Sequence, residues 1–385
     1  MDRYREVTRT SFGSRLGNSF IGILIGLLLA IAAFPLLWWN EGRSVDRIKT
    51  LDEGLGLVIP VDAMERDPGN QGALIHISGT ATGDGPLQDP LFGIETDALK
   101  LRRHVEMYQW VEEKTERRIK ETGGSERVET TYDYYREWSA TLEDSSSFRY
   151  PDGHLNPRSM PFEAETQSAQ TITLGRFALD GAFTGQMTSY QDLPLGPAVW
   201  GAAAPEIQNR FALTGDWFQQ GSADNPQVGD VRVKFGVVPS GPYSAVGQQS
   251  GDGLALYRTK NGEIALLEQG NVSATEMFAI AQDENTLITW AIRLGGFVLM
   301  WIGLSMLLGP IKILADILPF LGRIVGGGIG LLTGLVAFCL SFLTIGMAWI
   351  AYRPIVGGIL LAVAAVAFFG GGAVLNKRGK RRLAT

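Results

Sequence analysis

Four stretches of this chain are too apolar for water and long enough for lipid. That feature constrains the fold more than any other. Residues 18–39 carry no charge, and as a helix their 22 residues rise about 33 Å against a hydrocarbon core of about 30 Å. Residues 290–308 hold one charge, Arg293, about one turn from their start, while 324–350 and 355–375 hold none. Lipid offers no partner to a bare N–H or C=O, so each stretch is expected to be a helix. The small-x-small sequence Ala30-Ile31-Ala32 that could suit leader cleavage lies inside the first run, which continues to Trp39. A retained anchor is the favoured reading. The prediction is a multi-pass α-helical membrane protein with four transmembrane helices.

Charge divides the chain the same way. Residues 40–287 contain 37 acidic and 21 basic side chains, whereas all the remaining residues together contain 3 acidic and 13 basic. The overall net charge of −6 therefore describes neither part. Arg3, Arg5, Arg9 and Arg15 precede the first apolar stretch, Lys312 and Arg323 lie between the second and third, and Lys377, Arg378, Lys380, Arg381 and Arg382 follow the fourth. Lys and Arg accumulate on the cytoplasmic side. The expected topology is thus a cytoplasmic arm (1–17), an extracytoplasmic block (40–287), a cytoplasmic interfacial segment (309–323) and a basic cytoplasmic tail (376–385). The tail has no interleaved aromatic residue, so attraction to anionic lipid is preferred over nucleic-acid binding. Asp316, in the interfacial segment, is expected to cap a helix or face water rather than carry protons.

The acidic block reads as a large β-rich α+β domain. Its clearest element is a hairpin. Val105, Met107, Gln109 and Val111 alternate with Glu106, Tyr108, Trp110 and Glu112, and the return run from Val128 to Trp138 is rich in aromatic and β-branched residues. Gly123-Gly124-Ser125 supplies the turn. At least one of Trp110 and Trp138 is expected to be largely buried. Further strands are expected at 73–78, 171–179, 231–238 and 263–268, and Ser273-Ala274-Thr275-Glu276 has the capping-box spacing that starts a helix.

Chemistry is sparse. Cys339 is the single cysteine, and His76, His104 and His154 are too scattered for metal-ligand spacing. No GxSxG, HExxH, Walker loop or strand-borne GxGxxG occurs. No catalytic, metal or cofactor residue is assigned, and no cofactor is expected. Arg102-Arg103-His104 is a candidate anion or lipid-phosphate contact, although such a run more often pairs with neighbouring acids. Gly22 and Gly26, and then Gly326, Gly330 and Gly334, repeat at the four-residue spacing that lets membrane helices approach. Packing inside one chain is preferred over a seam between copies.

One family shares these residues. Asn40-Glu41-Gly42-Arg43 after the first apolar stretch, and the run from Lys100 through Tyr108 and Trp110 to Glu112, resemble the transmembrane protein 43 (LUMA) family. Similar matches continue in order at His154, Asn156-Pro157, Asp230, Asp316 with Pro319-Phe320, and Tyr352-Arg353-Pro354. The resemblance implies a four-pass protein with one large domain between the first two helices. It also implies residence in the endoplasmic reticulum and inner nuclear membrane for eukaryotic members, with roles in organising envelope proteins and in self-association. It supplies no catalytic residues. Abundant Ala, Gly and Arg with little Lys suggest a bacterial member in the inner membrane, both termini cytoplasmic. The favoured function is a non-enzymatic membrane scaffold. Its partners would be membrane lipids, envelope proteins and further copies of itself, with no nucleic acid. The alternative is an enzyme or binder acting on lipids or envelope polymers through a pocket in the external domain, and a transporter or channel ranks third.

Overall fold

The computed structural model describes residues 2–354 and divides the chain into two compact units. The first unit gathers residues up to 8, Thr50–Arg118 and Val128–Ala281; the second gathers Arg9–Lys49, Ile119–Arg127 and the chain from Gln282. The principal elements in chain order are β1 (Asp2–Thr10), α1 (Phe12–Leu57), β2 (Leu74–Gly83), β3 (Ala98–Lys120), β4 (Glu126–Ser139), β5 (Ile172–Leu174), β6 (Phe177–Leu179), β7 (Phe211–Thr214), β8 (Trp217–Gln220), β9 (Val231–Pro239), β10 (Gly241–Ser250), β11 (Gly253–Ala255), β12 (Leu266–Gln269), α2 (Ala274–Leu307), α3 (Gly309–Ala315) and α4 (Pro319–Tyr352).

Two sheets build the first unit. One has the order β1-β4-β3-β9-β8-β7. Within it β9 pairs antiparallel with β3, Val231 opposite Met107 and Val237 opposite Leu101. Alternation along β3 buries Val105, Met107 and Gln109, as their period-two spacing predicts. Behind this sheet lies an aromatic core in which the Phe92 ring meets Phe162, Phe211, Phe218 and Phe235 edge-on. In the other sheet β10 pairs with both β11 and β2, and the path β11-β6-β5-β2 closes five strands into a small barrel. Ile75, Ile77, Leu174, Phe177, Tyr243 and Ala245 fill its core. The stretch expected as one strand over 171–179 splits at Gly175, whose φ of +60° turns the chain between β5 and β6. Phe278 on the first turns of α2 packs with Leu51 of α1 against Leu74 and Val246. Ser273 caps the helix as its spacing predicts: the Glu276 N–H donates to Ser273 Oγ at 3.3 Å.

Trp110 and Trp138 lie on the predicted strands and both are partly buried. Both sit on the sheet face opposite the core, where guanidinium groups and the rings of His154 and Tyr108 lie against them.

The second unit holds the membrane helices. Among the described residues, three helices are long and apolar enough to cross a membrane: α1, α2, and α4 from Ile324. The fourth apolar stretch, 355–375, and the tail 376–385 lie outside the described residues. The first helix is much longer than 18–39, running 46 residues, so Asn40-Glu41-Gly42-Arg43 is helical and not a loop into the domain. Ala33, Leu37, Met300 and Ala337 form the centre where α1, α2 and α4 meet. A Cβ on Gly26 would stand 2.7 Å from the Gly303 carbonyl oxygen, so Gly26 serves packing of α1 on α2 within the chain. Gly22 is looser, 3.9 Å from Met306.

The arm 1–17 departs from its expected form. It is strand β1 followed by the start of α1, and β1 hydrogen-bonds to β4 of the block. Arg3 pairs with Asp133 at 2.5 Å, and Arg5 pairs with Glu129. Asp316 takes the C-cap position of α3, one of the two places expected for it, but does not face water. Its side chain is fully buried between Arg15 at 2.6 Å and Lys120 at 2.5 Å. The β3–β4 turn joins the same contact, as the Gly123 N–H donates to the Ile317 carbonyl and Arg15 donates to the Gly124 carbonyl. Within the second unit the start of α1, the hairpin tip and the 309–323 segment therefore meet. Neither a strand ladder nor a buried ion pair can form across a bilayer. In a Cys339→Ser background, cysteines at Ser14 and at Thr122 should both react with a membrane-impermeant thiol reagent added from the same side. Labelling of the two from opposite sides would overturn this arrangement.

Candidate functional site

Most of the family-like residues gather in two places, each inside one unit. In the second unit, Asn40, Glu41 and Ser44 share one face of α1 and meet a polar stripe on α2 formed by Asn285, Thr289 and Arg293, spaced i, i+4, i+8. Glu41 accepts both Arg293 Nε and Nη2 at 2.7 Å, and its second oxygen also accepts Trp349 Nε1 at 2.7 Å. Asn40 Nδ2 donates to the Thr289 carbonyl at 3.1 Å, and Asn285 Nδ2 donates to the Ser44 carbonyl at 3.1 Å. Arg43 donates to Asn285 Oδ1 and Thr289 Oγ1, both at 3.0 Å. Glycine is needed at 42 because a Cβ there would lie 2.7 Å from the Tyr352 ring, which leans in from the end of α4. Residues from both ends of the chain thus build one collar at the aromatic boundary of the helices.

The collar's chemistry is that of a lock. Glu41 is 2% exposed and Arg293 14%, and the carboxylate already holds three charge-assisted or indole donors. Three donors on one carboxylate fix its orientation between the three helices. Arg293, the single charge of the second apolar stretch, is paired with Glu41 and stacked on Trp290 at 4.7 Å. Sequence reading missed the collar because it treated the apolar stretches as uniform. The i, i+4, i+8 spacing of Asn285, Thr289 and Arg293 was the available signal.

In the first unit, the second group marks the corner where β3 continues beyond β9 to pair with β4. The Tyr108 N–H donates to the Asp230 carbonyl at 2.8 Å, and the Gly229 N–H donates to the Tyr108 carbonyl at 2.9 Å. Asn156 bridges the edge of β3: its Oδ1 accepts the Trp110 N–H at 2.8 Å and its Nδ2 donates to the Trp110 carbonyl at 2.9 Å. Pro157 packs near Gly229. His154 is buried, stacked on Tyr134 with ring centroids 4.1 Å apart, and its ring nitrogens contact the Tyr150 carbonyl and Asp2. These are corner-forming roles, with no nucleophile beside the imidazole. Burial, with the hydrogen bond to Glu112, pushes the Tyr134 hydroxyl pKa up.

Arg102, Arg103 and His104 do not converge on an anion. Successive strand residues face opposite ways, so Arg103 pairs with Asp89 at 2.6 Å and Glu165 at 3.1 Å, while Arg102 lies over Tyr190 and His104 contacts Glu106 at 2.9 Å. Among the described residues, no group of three or more His, Cys, Asp or Glu side chains could hold a metal.

The face carrying His104 is the more distinctive surface. Arg232 lies between Trp138 at 4.6 Å and Trp217 at 4.3 Å, Arg136 covers Trp110 at 5.1 Å and Tyr108 at 6.0 Å, and Lys234 sits 5.2 Å from Trp217. Glu106, bonded to His104 and Arg232, anchors this ladder. Burial works against its ionisation, but those two partners outweigh it and hold its pKa below the usual range. Every rung is at least partly exposed.

Asp316 follows the same logic. Burial disfavours its charge, yet hydrogen bonds from Lys120 and Arg15 outweigh that and depress its pKa. With the folded pKa below the unfolded one, this carboxylate stabilises the fold fully at neutral pH. The contribution is lost as pH falls through the folded value. The melting temperature should therefore decline on acidification in wild type, and Asp316→Asn should flatten that decline while lowering stability at neutral pH. In the collar, Glu41→Ala should cost about 3–5 kcal/mol by leaving Arg293 buried and unpaired. The double replacement Glu41→Met with Arg293→Met should cost less, as read by thermal unfolding in mild detergent.

Compared with known proteins, residues 107–354 match the family model described as Transmembrane protein 43. The chain is 33% identical to rat Transmembrane protein 43 over 368 residues, covering 92% of this chain and 90% of the rat protein. It is 32% identical to the human protein over 377 residues (94% and 92%) and 32% identical to the Drosophila melanogaster homolog over 350 residues (89% and 92%). No solved structure matches.

Proposed function

The chain belongs to the transmembrane protein 43 family, and from that premise we propose that it is an integral membrane scaffold working by protein association rather than by turnover. The observation that carries this reading is the Trp138–Arg232–Trp217 ladder with its extension through Arg136, Trp110 and Tyr108. Trp, Tyr and Arg are the residue types that dominate interface energetics. Here they lie partly exposed on one rigid sheet face, with rotamers pre-set by one another. A face so ordered loses little conformational entropy on binding. Arg136 is exposed and bonded to no carboxylate among the described residues, which leaves a cation to meet an acidic group on a second surface.

The membrane helices offer a second route to association. On α4, Gly326 lies against the Lys312 side chain and Gly334 against Trp301, but a Cβ on Gly330 would meet nothing within 4 Å. Gly330 therefore leaves an open notch that a neighbouring helix can fill.

Self-association of the full-length protein, followed by light scattering in several mild detergents, tests the proposal. Trp138→Ala together with Arg136→Ala should weaken it by about 30-fold or more, the loss expected of a hot spot worth 2 kcal/mol. Gly330→Leu should weaken it separately, because the added bulk holds two helix backbones apart. A strict monomer in every detergent would overturn the self-association reading.

A further inference from the structure

Independently of association, we propose that the boundary end of α2 and α4 holds one anionic phospholipid, its headgroup beside Arg353 and an acyl chain in the groove below. Between the two helices runs a groove of about 640 Å³ lined by Leu294, Phe297, Phe338, Phe342, Ile345 and Gly346. That volume is typical of built ligand sites. At its boundary end lies a smaller cavity of about 120 Å³, lined by polar groups including Glu41, Ser44, Thr286 and Arg353. Trp290, Arg293 and Trp349 line both, so the two spaces adjoin: polar at the aromatic boundary, apolar below it. An amphiphile has that same order of groups.

Depth and charge select the occupant. From Trp349 to Phe338 the groove follows eleven residues of α4, about 16 Å at 1.5 Å per residue. That is about half of a 30 Å hydrocarbon core, the depth of one leaflet. A membrane-crossing helix would need twice that length, whereas a single acyl chain needs about this much. Water is no filler here, because an apolar space without polar partners stays dry. Glu41 cancels the charge of Arg293. The half-buried Arg353 guanidinium has no carboxylate partner among the described residues, so the headgroup cavity carries one uncompensated positive charge. An anionic phosphate matches it, and the flanking Trp290 and Trp349 sit at headgroup level as interfacial indoles do.

The test uses the full-length protein in nanodiscs of equimolar phosphatidylglycerol and phosphatidylcholine, with retained lipid counted by native mass spectrometry. Wild type should keep one phosphatidylglycerol in preference to phosphatidylcholine. Arg353→Gln should reduce that preference about fivefold, the effect of one basic group near a headgroup. Gly346→Phe should abolish retention of both lipids with the thermal unfolding curve preserved, since a Cβ at Gly346 meets nothing within 4 Å. Ile345→Trp fills the same space should that variant fail to fold. Undiminished phosphatidylglycerol retention in Arg353→Gln, or in the filled-groove variants, would overturn the proposal. So would quantitative cross-linking in membranes, in a Cys339→Ser background, between cysteines at Phe342 and Ala364, because the chain's own 355–375 segment would then occupy the groove.

Discussion

The carboxylate of Glu41, held by Arg293 and Trp349, joins three helices that have little else to fix their register. Lipid is as apolar as Leu, so membrane helices gain almost nothing from burying Leu against Leu. Their close contacts come from small residues such as Gly26 and Gly303 and from polar groups with nowhere else to go. An ion pair with one side chain 2% exposed tolerates no slip: a shift of one residue would leave either charge in a low-dielectric space without its partner. Asn40, Arg43, Asn285 and Thr289 extend the constraint by directed hydrogen bonds. The groove between α2 and α4 exists because this collar sets their separation at one end.

A second buried charge cluster does the same work at the other end of α1. Asp316, Arg15 and Lys120 come from three distant parts of the chain, and their pairing ties those parts together within the second unit. Positive-inside counting treats loops as independent, whereas an ion pair couples them.

Nearly every titratable group near the family-like residues is already engaged. Glu41 has three donors, His154 has both ring nitrogens bonded, and Glu106 serves His104 and Arg232. Groups so employed orient structure instead of exchanging protons. What stays open to solvent or lipid is different in kind: an aromatic–cation ladder on the sheet, a notch at Gly330 and an amphiphilic groove. Those are the surfaces that the proposed association and lipid binding use.

The sequence by itself determined that this chain enters a membrane, since charge-free runs of such length have no stable place in water. It also determined the β3–β4 hairpin, its turn and the start of α2, because period-two alternation, Gly-Gly and a capping box act between residues close in the chain. The family followed from ordered short motifs. Tertiary structure alone decided what those motifs are for. Asn40-Glu41-Gly42-Arg43 is only a motif after an apolar stretch until its partners, some 250 to 310 residues distant, arrive on α2 and α4. Asp316 reads as a solvent-facing acid until Arg15 and Lys120 enclose it. Trp110 and Trp138 alternate onto the outer face of the sheet, where cations lie against them, while the Phe92 cluster fills the core behind it. Arg102, Arg103 and His104 look like one basic patch, but strand alternation sends Arg103 to the opposite face from its neighbours. In each case a local pattern shows which side chains are polar or apolar, whereas their partners are set by contacts between segments far apart in the chain.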